Sequence, residues 1–355
     1  MLFCHLAHAD SLREICNGLN STMGKLKHLG VDRTPKRSTL SYANAKRPAA
    51  LYRDLFFTLS DRFRSQGELG VRNRKFRFKN KLLSLDSSTI SLCLSLFPWA
   101  DYRKAKGGVK LHVLLDHDDY MPSYVIVTEA RKHDKTVASK FKFQPGSIVA
   151  WDRAYNDYGH FGQLTEDGVY FVSRMKDNAL YEVVEERRPP KNTNVLVDQI
   201  IRLTGTGAAE KCPHLLRRVA VWQKEEGRVI VLISNHNTFG ASTIAAIYKD
   251  RWQIELFFKT LKQNLKVKTF VGTSENALLI QIWTALIALL LLKWMHFNSK
   301  WNWSFANLAS LLRMNLFTYR DLDGWMDNPF GSPPLNPEEG QSVQLSFGFG
   351  QAKGT

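Results

Sequence analysis

The chain has 355 residues and carries 49 Lys and Arg against 33 Asp and Glu, a formal net charge of +16. Hydrophobic content of 44% with 12% aromatic residues excludes wholesale disorder, and the length asks for two or three units rather than one core. A chain this basic is expected to meet a polyanion, nucleic acid before membrane.

Residues 1–64 read as helical and are expected to form a small all-α DNA-binding region. The run "DSLREICNGL" opens with a capping-box pattern, Ser11 followed by Glu14. A short helix near Ser38 and a longer amphipathic one follow, and a short basic helix rich in Ser, Thr and Asn suits docking on a DNA backbone or groove. Between Lys25 and Lys79 there are fifteen Lys and Arg against four Asp and Glu, so most of the excess charge sits here. Residues 65–81 are a basic linker carrying Phe76 and Phe78. The start "MLFCHLAHAD" has no basic n-region and no adequate apolar stretch, so no secretory signal is expected. Cys4, Cys16, Cys93 and Cys212 lack metal-ligand or disulfide spacing, which fits a reducing cytosol.

From Leu82 the texture turns to β. "LLSLD" ends at Asp86, "GVKLHVLLD" runs from Gly108 to Asp116 and "SYVIVTE" from Ser123 to Glu129. A helix near Lys135–Phe141, the strand "SIVAWD" ending at Asp152, a helix around Asp157–Leu164 and the strand "VYFVSR" complete a first α/β part, residues 82–175. Asp116, Asp118 and Asp119 read most simply as a hairpin turn, and Asp134, after His133, as a helix cap. Residues 176–235 read as a β-rich insertion ending in "VIVLISN". The second part, 236–327, holds the helical stretch "YKDRWQIELFFKTLKQNL" and the apolar run Ala277–Met295. That run is as long as a bilayer span, but Gln281 and Thr284 within it favour a buried core helix and no membrane. The tail, 328–355, is rich in Pro, Gly and Ser and reads as loose.

In the helical stretch, Tyr248, Arg251, Glu255 and Lys262 fall within roughly a 60° arc of one helix face, beside an apolar stripe from Ile247 to Leu265. An ordinary Arg251–Glu255 surface pair accounts for this stretch equally well. Asp86 and Asp152 change the balance. They stand at the ends of the first and fourth strands, which can lie side by side, and Glu255 would complete a trio. Three clustered carboxylates repel one another unless cations sit between them. Hard oxygen ligands suit Mg²⁺ or Mn²⁺, and a pair of such ions serves in-line phosphoryl displacement.

On these residues the sequence resembles the DDE transposases of bacterial insertion sequences, in the IS-four family. Tyr248, Arg251, Glu255 and Lys262 match the Tyr-x2-Arg-x3-Glu-x6-Lys signature of that family at every position. "LSLDSSTI" around Asp86 and "WDRAY" around Asp152 match its two aspartate contexts, and Lys106–Lys135 resembles its hairpin. The resemblance covers roughly residues 1–330. It implies a ribonuclease-H-like core interrupted by a β-rich insertion, and a cut-and-paste DNA reaction at terminal inverted repeats. It assigns Asp86, Asp152 and Glu255 as the catalytic triad holding two Mg²⁺ or Mn²⁺ ions. Tyr248, Arg251 and Lys262 would hold the terminal DNA strand. Arg153 is a further candidate for contact with DNA or an acid. In some relatives the insertion supplies a base-stacking tryptophan; Trp222 is the candidate here, with a core role as the competing reading. A cytoplasmic homodimer on paired DNA ends is implied as well. Relatives commonly carry several dozen residues before the counterpart of "MLFCHLAHADSLREI", so the chain reads as N-terminally truncated. The competing functions are a nuclease of the same fold without strand transfer and an inactive DNA-binding remnant.

Overall fold

The structure is a computed structural model that describes residues 1–335 except 23, 72–73, 93–100, 104–105, 132–133 and 266–270. The chain forms two compact units, Val71–Lys259 and the remainder on either side of it. The second of these begins with four helices, α1 (Leu2–Ala7), α2 (Leu12–Asn20), α3 (Arg37–Lys46) and α4 (Ala50–Ser65), with a 3-10 turn at Lys25–Leu29. The Ser11 cap is present at α2, with the Glu14 carboxylate reaching one residue beyond it. Ser11 Oγ accepts from the Glu14 N–H at 3.1 Å, and the Glu14 carboxylate accepts from the Asp10 N–H at 2.8 Å. Helix α3 buries little beyond Asn44 and exposes Arg37, Ser38, Ser41, Tyr42 and Lys46.

The unit Val71–Lys259 is mixed α/β. Its elements are β1 (Leu82–Leu92), β2 (Asp101–Arg103), β3 (Lys106–Asp116), β4 (Met121–Glu129), α5 (Asp134–Ala138), β5 (Ile148–Trp151), α6 (Tyr158–Glu166) and β6 (Tyr170–Arg174). There follow β7 (Tyr181–Arg187), β8 (Val195–Leu203), α7 (Ala208–Lys211), β9 (Leu216–Gln223), β10 (Arg228–Ser234), α8 (Ala241–Asp250) and α9 (Trp252–Asn264). The strands make one ten-stranded sheet in the order β2-β3-β1-β5-β6-β10-β9-β8-β7, with β4 on β3. Strands β1, β5 and β6 pair in parallel, and the outer strands pair antiparallel. Side-chain alternation gives the sheet two apolar faces. Leu83, Leu85, Val149, Trp151 and Phe171 go to one, with Phe161 of α6. Leu82, Ile148, Ala150 and Val172 go to the other, under Ile244, Ile247 and Tyr248 of α8.

One sequence expectation changes here. Strand β1 does not end at Asp86. It continues to Leu92 because β3 pairs with it antiparallel along that whole length. The β-rich stretch after β6 joins the same sheet, since β10 pairs with β6 through Leu232↔Arg174 and Ser234↔Val172 and brings β7–β9 with it. In the basic stretch before β1, Phe76 and Phe78 stack at 5.0 Å, Phe78 meets Phe239 at 5.1 Å, and both pack under α8.

The chain returns to the helical unit within α9. It continues with α10 (Glu275–Asn298), α11 (Phe305–Met314) and α12 (Leu322–Asp327). Helix α10 is long and apolar enough to cross a membrane by composition, yet 78% of its most apolar window is buried inside the protein. It packs on α1, α3, α4 and α11. Phe56 and Phe57 of α4 meet Trp283 at 5.9 and 5.8 Å. Thr284 bonds His5 at 3.0 Å, and burial holds the His5 imidazole down to about 3, so it is neutral. Of the tail expected to be loose, residues 336–355 lie outside the described residues, as do His133 and Cys93.

Because buried Trp283 packs against both Phe56 and Phe57, Trp283→Ala is expected to cost about 3–5 kcal/mol. A urea titration checks this, and a loss below about 1 kcal/mol would mean that the surrounding side chains refill the site.

Candidate active site

The parallel register of β1 and β5 runs Leu82↔Ile148 to Leu85↔Trp151 and stops there. The next residue on each strand is an aspartate, so Asp86 and Asp152 stand level, one strand spacing apart, about 4.8 Å in the backbone. The Leu83 and Leu85 side chains lie on one face, so Ser84 and Asp86 point to the other, which α8 covers. Asp152 caps the short turn Arg153–Tyr155, its carboxylate accepting from the Ala154 N–H at 3.2 Å.

The third acid comes from the helices. Helix α8 ends at Asp250, Arg251 makes the junction, and α9 starts at Trp252, which puts Glu255 in its first turn. Arg251 joins the carboxylates: Nη2 is 2.9 Å from Glu255 Oε1 and Nη1 is 3.5 Å from Asp86 Oδ2. Its guanidinium lies 5.5 Å from the Tyr248 ring centroid, and its buried Nε–H meets no acceptor. Arg251 is therefore an internal cation between two acids rather than half of a surface pair.

Burial pushes the Asp86 carboxyl up to about 6. The Ser87 N–H and Arg251 pull it down, while Glu255 and Asp152 push it further up. The three acids thus feel one another. Among the described residues, however, no three His, Cys, Asp or Glu side chains come close enough to hold one ion. Arg251 takes up that role between Asp86 and Glu255. The donor set itself, three hard carboxylate oxygens with one carboxyl already resisting ionisation, fits Mg²⁺ or Mn²⁺.

The other expected residues are placed as follows. Tyr248 is buried, and burial pushes its phenol up, with Arg251 opposing. Lys262 lies in the last turn of α9, past the point where the chain enters the helical unit. Arg153 pairs with Asp177 at 2.8 Å in solvent. Trp222 is not a core residue: it is 42% exposed on β9, three strands from β5 and so roughly 14 Å across the sheet. Asp116 and Asp119 make turn bonds to the N–H groups of Asp118 and Met121. Asp134, read as a helix cap, is the first residue of α5, and its carboxylate accepts from Ser87 Oγ at 2.7 Å and from Lys110 Nζ at 3.2 Å. One group went unread in the sequence: Ser84, His117 and Asp250 form a buried chain beside Asp86. Its only sequence signals were a serine inside the apolar run "LLSLD" and an aspartate next to Arg251.

Residues 77–291 match the family described as a transposase DDE domain, and residues 1–32 match a domain of unknown function (DUF4372). A Sinorhizobium fredii protein named as a transposase, y4zB, is 32% identical over 89% of this chain and 87% of its own length. A Geobacillus stearothermophilus protein named as a transposase of the insertion sequence element IS5377 is 33% identical over 64% of this chain and 60% of that one. A Synechocystis protein named as a transposase of the element IS4SA is 27% identical over 72% and 70%.

The Asp86 carboxyl yields a pH prediction. Its folded pKa of about 6 lies above its ordinary 3.8, so its contribution is present below pH 4 and lost as pH rises through 6. At pH 7.5 the ionised group costs the metal-free fold roughly 1–3 kcal/mol. Asp86→Asn is therefore expected to raise the urea midpoint at pH 7.5 without metal and to leave it unchanged at pH 4. A mutant no more stable than wild type at pH 7.5 would contradict this.

Proposed function

The chain belongs to the transposase DDE family, and from that premise we propose that it moves an insertion sequence by cut and paste. It would nick DNA at terminal inverted repeats and join the freed 3′ ends to target DNA. The supporting observation is the meeting of Asp86 and Asp152 at the end of one parallel register, with Glu255 tied to Asp86 through Arg251. In this reading the sheet is a ribonuclease-H-like core, and Asp86, Asp152 and Glu255 hold two Mg²⁺ or Mn²⁺ ions. When bound, the ions supply activation of a water or 3′-hydroxyl and stabilisation of the leaving oxygen.

The remaining roles belong to the side chains. Arg251 gives up its two carboxylates and turns its fork to a DNA phosphate, for which a planar bidentate donor is well suited. Tyr248, packed beside the Arg251 guanidinium, orients it and offers its hydroxyl to the same strand. Lys262 contributes a point charge to the flanking phosphates, and Arg153 exchanges Asp177 for DNA. Exposed Trp222 offers a face on which an unpaired base can stack. The basic helices of residues 1–64, above all the exposed polar face of α3, hold the inverted repeat. The enzyme works as a cytoplasmic homodimer on paired ends.

The test is cleavage of labelled DNA bearing the inverted repeat of the element. Mg²⁺ or Mn²⁺ is expected to support nicking at the repeat end. Asp86→Asn, Asp152→Asn and Glu255→Gln should each reduce it about 10³-fold or more, the loss of several kcal/mol of charge stabilisation. Arg251→Ala should also weaken end binding and lower its salt dependence by about one phosphate contact. Pre-cut ends that are never joined to target would make the protein a nuclease instead. DNA bound but uncut under every metal would make it an inactive remnant.

A further inference from the structure

Beside the carboxylates lies a second polar assembly. Ser84 Oγ is 2.7 Å from His117 Nε2, His117 Nδ1 is 2.8 Å from Asp250 Oδ2, and Lys75 Nζ is 2.6 Å from Asp250 Oδ1. Ser84, His117 and Asp250 are 0%, 8% and 3% exposed. A serine, a histidine and an aspartate in this order have the composition of a nucleophilic triad. With Ser84 fully enclosed, no substrate reaches its hydroxyl, and that role is excluded.

We propose that Ser84, His117 and Asp250 are positioning residues that set the height of strand β1 against the α8–α9 junction, and thereby the fit of Asp86 and Glu255 to a divalent cation. The inference rests on the metal-dependent reading above. Two rungs connect the same two elements. Ser84 and Asp86 are alternate residues on one face of β1, about 6.6 Å apart. On the helical side, Asp250 and Arg251 are consecutive, with Glu255 one turn on. The first rung is Ser84–His117–Asp250; the second is Asp86–Arg251–Glu255.

The chemistry makes the first rung the stiffer. Burial works to raise the Asp250 carboxyl, but His117 and Lys75 outweigh it and hold the group below its ordinary range, so it is an ionised acceptor. His117 Nδ1 therefore donates to Asp250, and Nε2 faces the Ser84 hydroxyl at 2.7 Å. The ring is also fixed by Tyr120 at 5.5 Å, edge to face, and the His117 backbone N–H donates to the Leu82 carbonyl at 3.0 Å. The second rung is built to break, because Arg251 must leave when cations and DNA arrive. The first rung then keeps Asp86 and Glu255 at their spacing, where an error of about 1 Å costs on the order of 10²-fold.

The test compares wild type with Ser84→Ala, Asp250→Asn and the double variant. Mn²⁺ binding is read without DNA by electron paramagnetic resonance, with Asp86→Asn as the control that removes the site. Unfolding midpoints and inverted-repeat binding in Ca²⁺ are measured alongside. Each single variant is expected to weaken Mn²⁺ binding about tenfold or more, as loss of outer-shell support does elsewhere. The Mn²⁺ needed for half-maximal nicking should rise in parallel, with end binding unchanged. The double variant should be no worse than Asp250→Asn, because the residues act as one chain. If Asp250→Asn does not fold, Ser84→Ala carries the test alone. Unchanged Mn²⁺ affinity overturns the inference, even where the unfolding midpoint drops, and so does a wild type that binds no Mn²⁺. A wild type that binds Mn²⁺ but never nicks overturns the transposition reading and leaves the affinity comparison intact.

Discussion

The parallel pairing of β1 with β5 stops at Leu85 and Trp151, and where it stops decides which groups meet. One residue further on both strands are Asp86 and Asp152, level with each other at the edge of the paired region. A slip of one residue would turn Asp86 to the face of Trp151 and Phe161, away from Arg251 and Glu255. The apolar residues around the aspartates hold that register. Leu83, Leu85, Val149 and Trp151 fill one core, and Leu82, Ile148 and Ala150 fill the other. Asp86 itself works against folding, since burial pushes its carboxyl up.

Charge balance explains the second half of the site. Two partly buried acids, Asp86 and Glu255, share one guanidinium, and Asp152 stands close enough to raise the first of them further. Arg251 alone bridges two of the three acids, and divalent cations would add further positive charge among them. In the proposed reaction the cations and a DNA strand arrive together: the ions relieve the acids, and the strand receives the released arginine. In the same reading the basic segments elsewhere in the chain would steer the polyanion, a contribution that salt screens.

Much of this was legible in the sequence where the signal is local. The period-2 runs and turns located β3, β4, β5, β6 and β10 closely, and the four-residue spacing of Arg251 and Glu255 forecast their contact. The misreadings are non-local. "LLSLD" looks like a strand ending at Asp86 because polar Ser87, Ser88 and Thr89 follow it; the partner β3 carries it to Leu92. Trp222 looks like core in "VAVWQ", but alternation on β9 turns it outward while Val219 and Val221 face in. No local pattern in the insertion announces that β10 will pair with β6. His117 and Asp250 are 133 residues apart, and nothing at either position names the other.

Anomalous diffraction from crystals of the protein grown with Mn²⁺ and inverted-repeat DNA tests the central claim most directly. The account predicts manganese signal bounded by Asp86, Asp152 and Glu255, with the Arg251 guanidinium moved off both carboxylates and onto a DNA phosphate. Arg251 still bridging Asp86 and Glu255, with no manganese among the three acids, would contradict it.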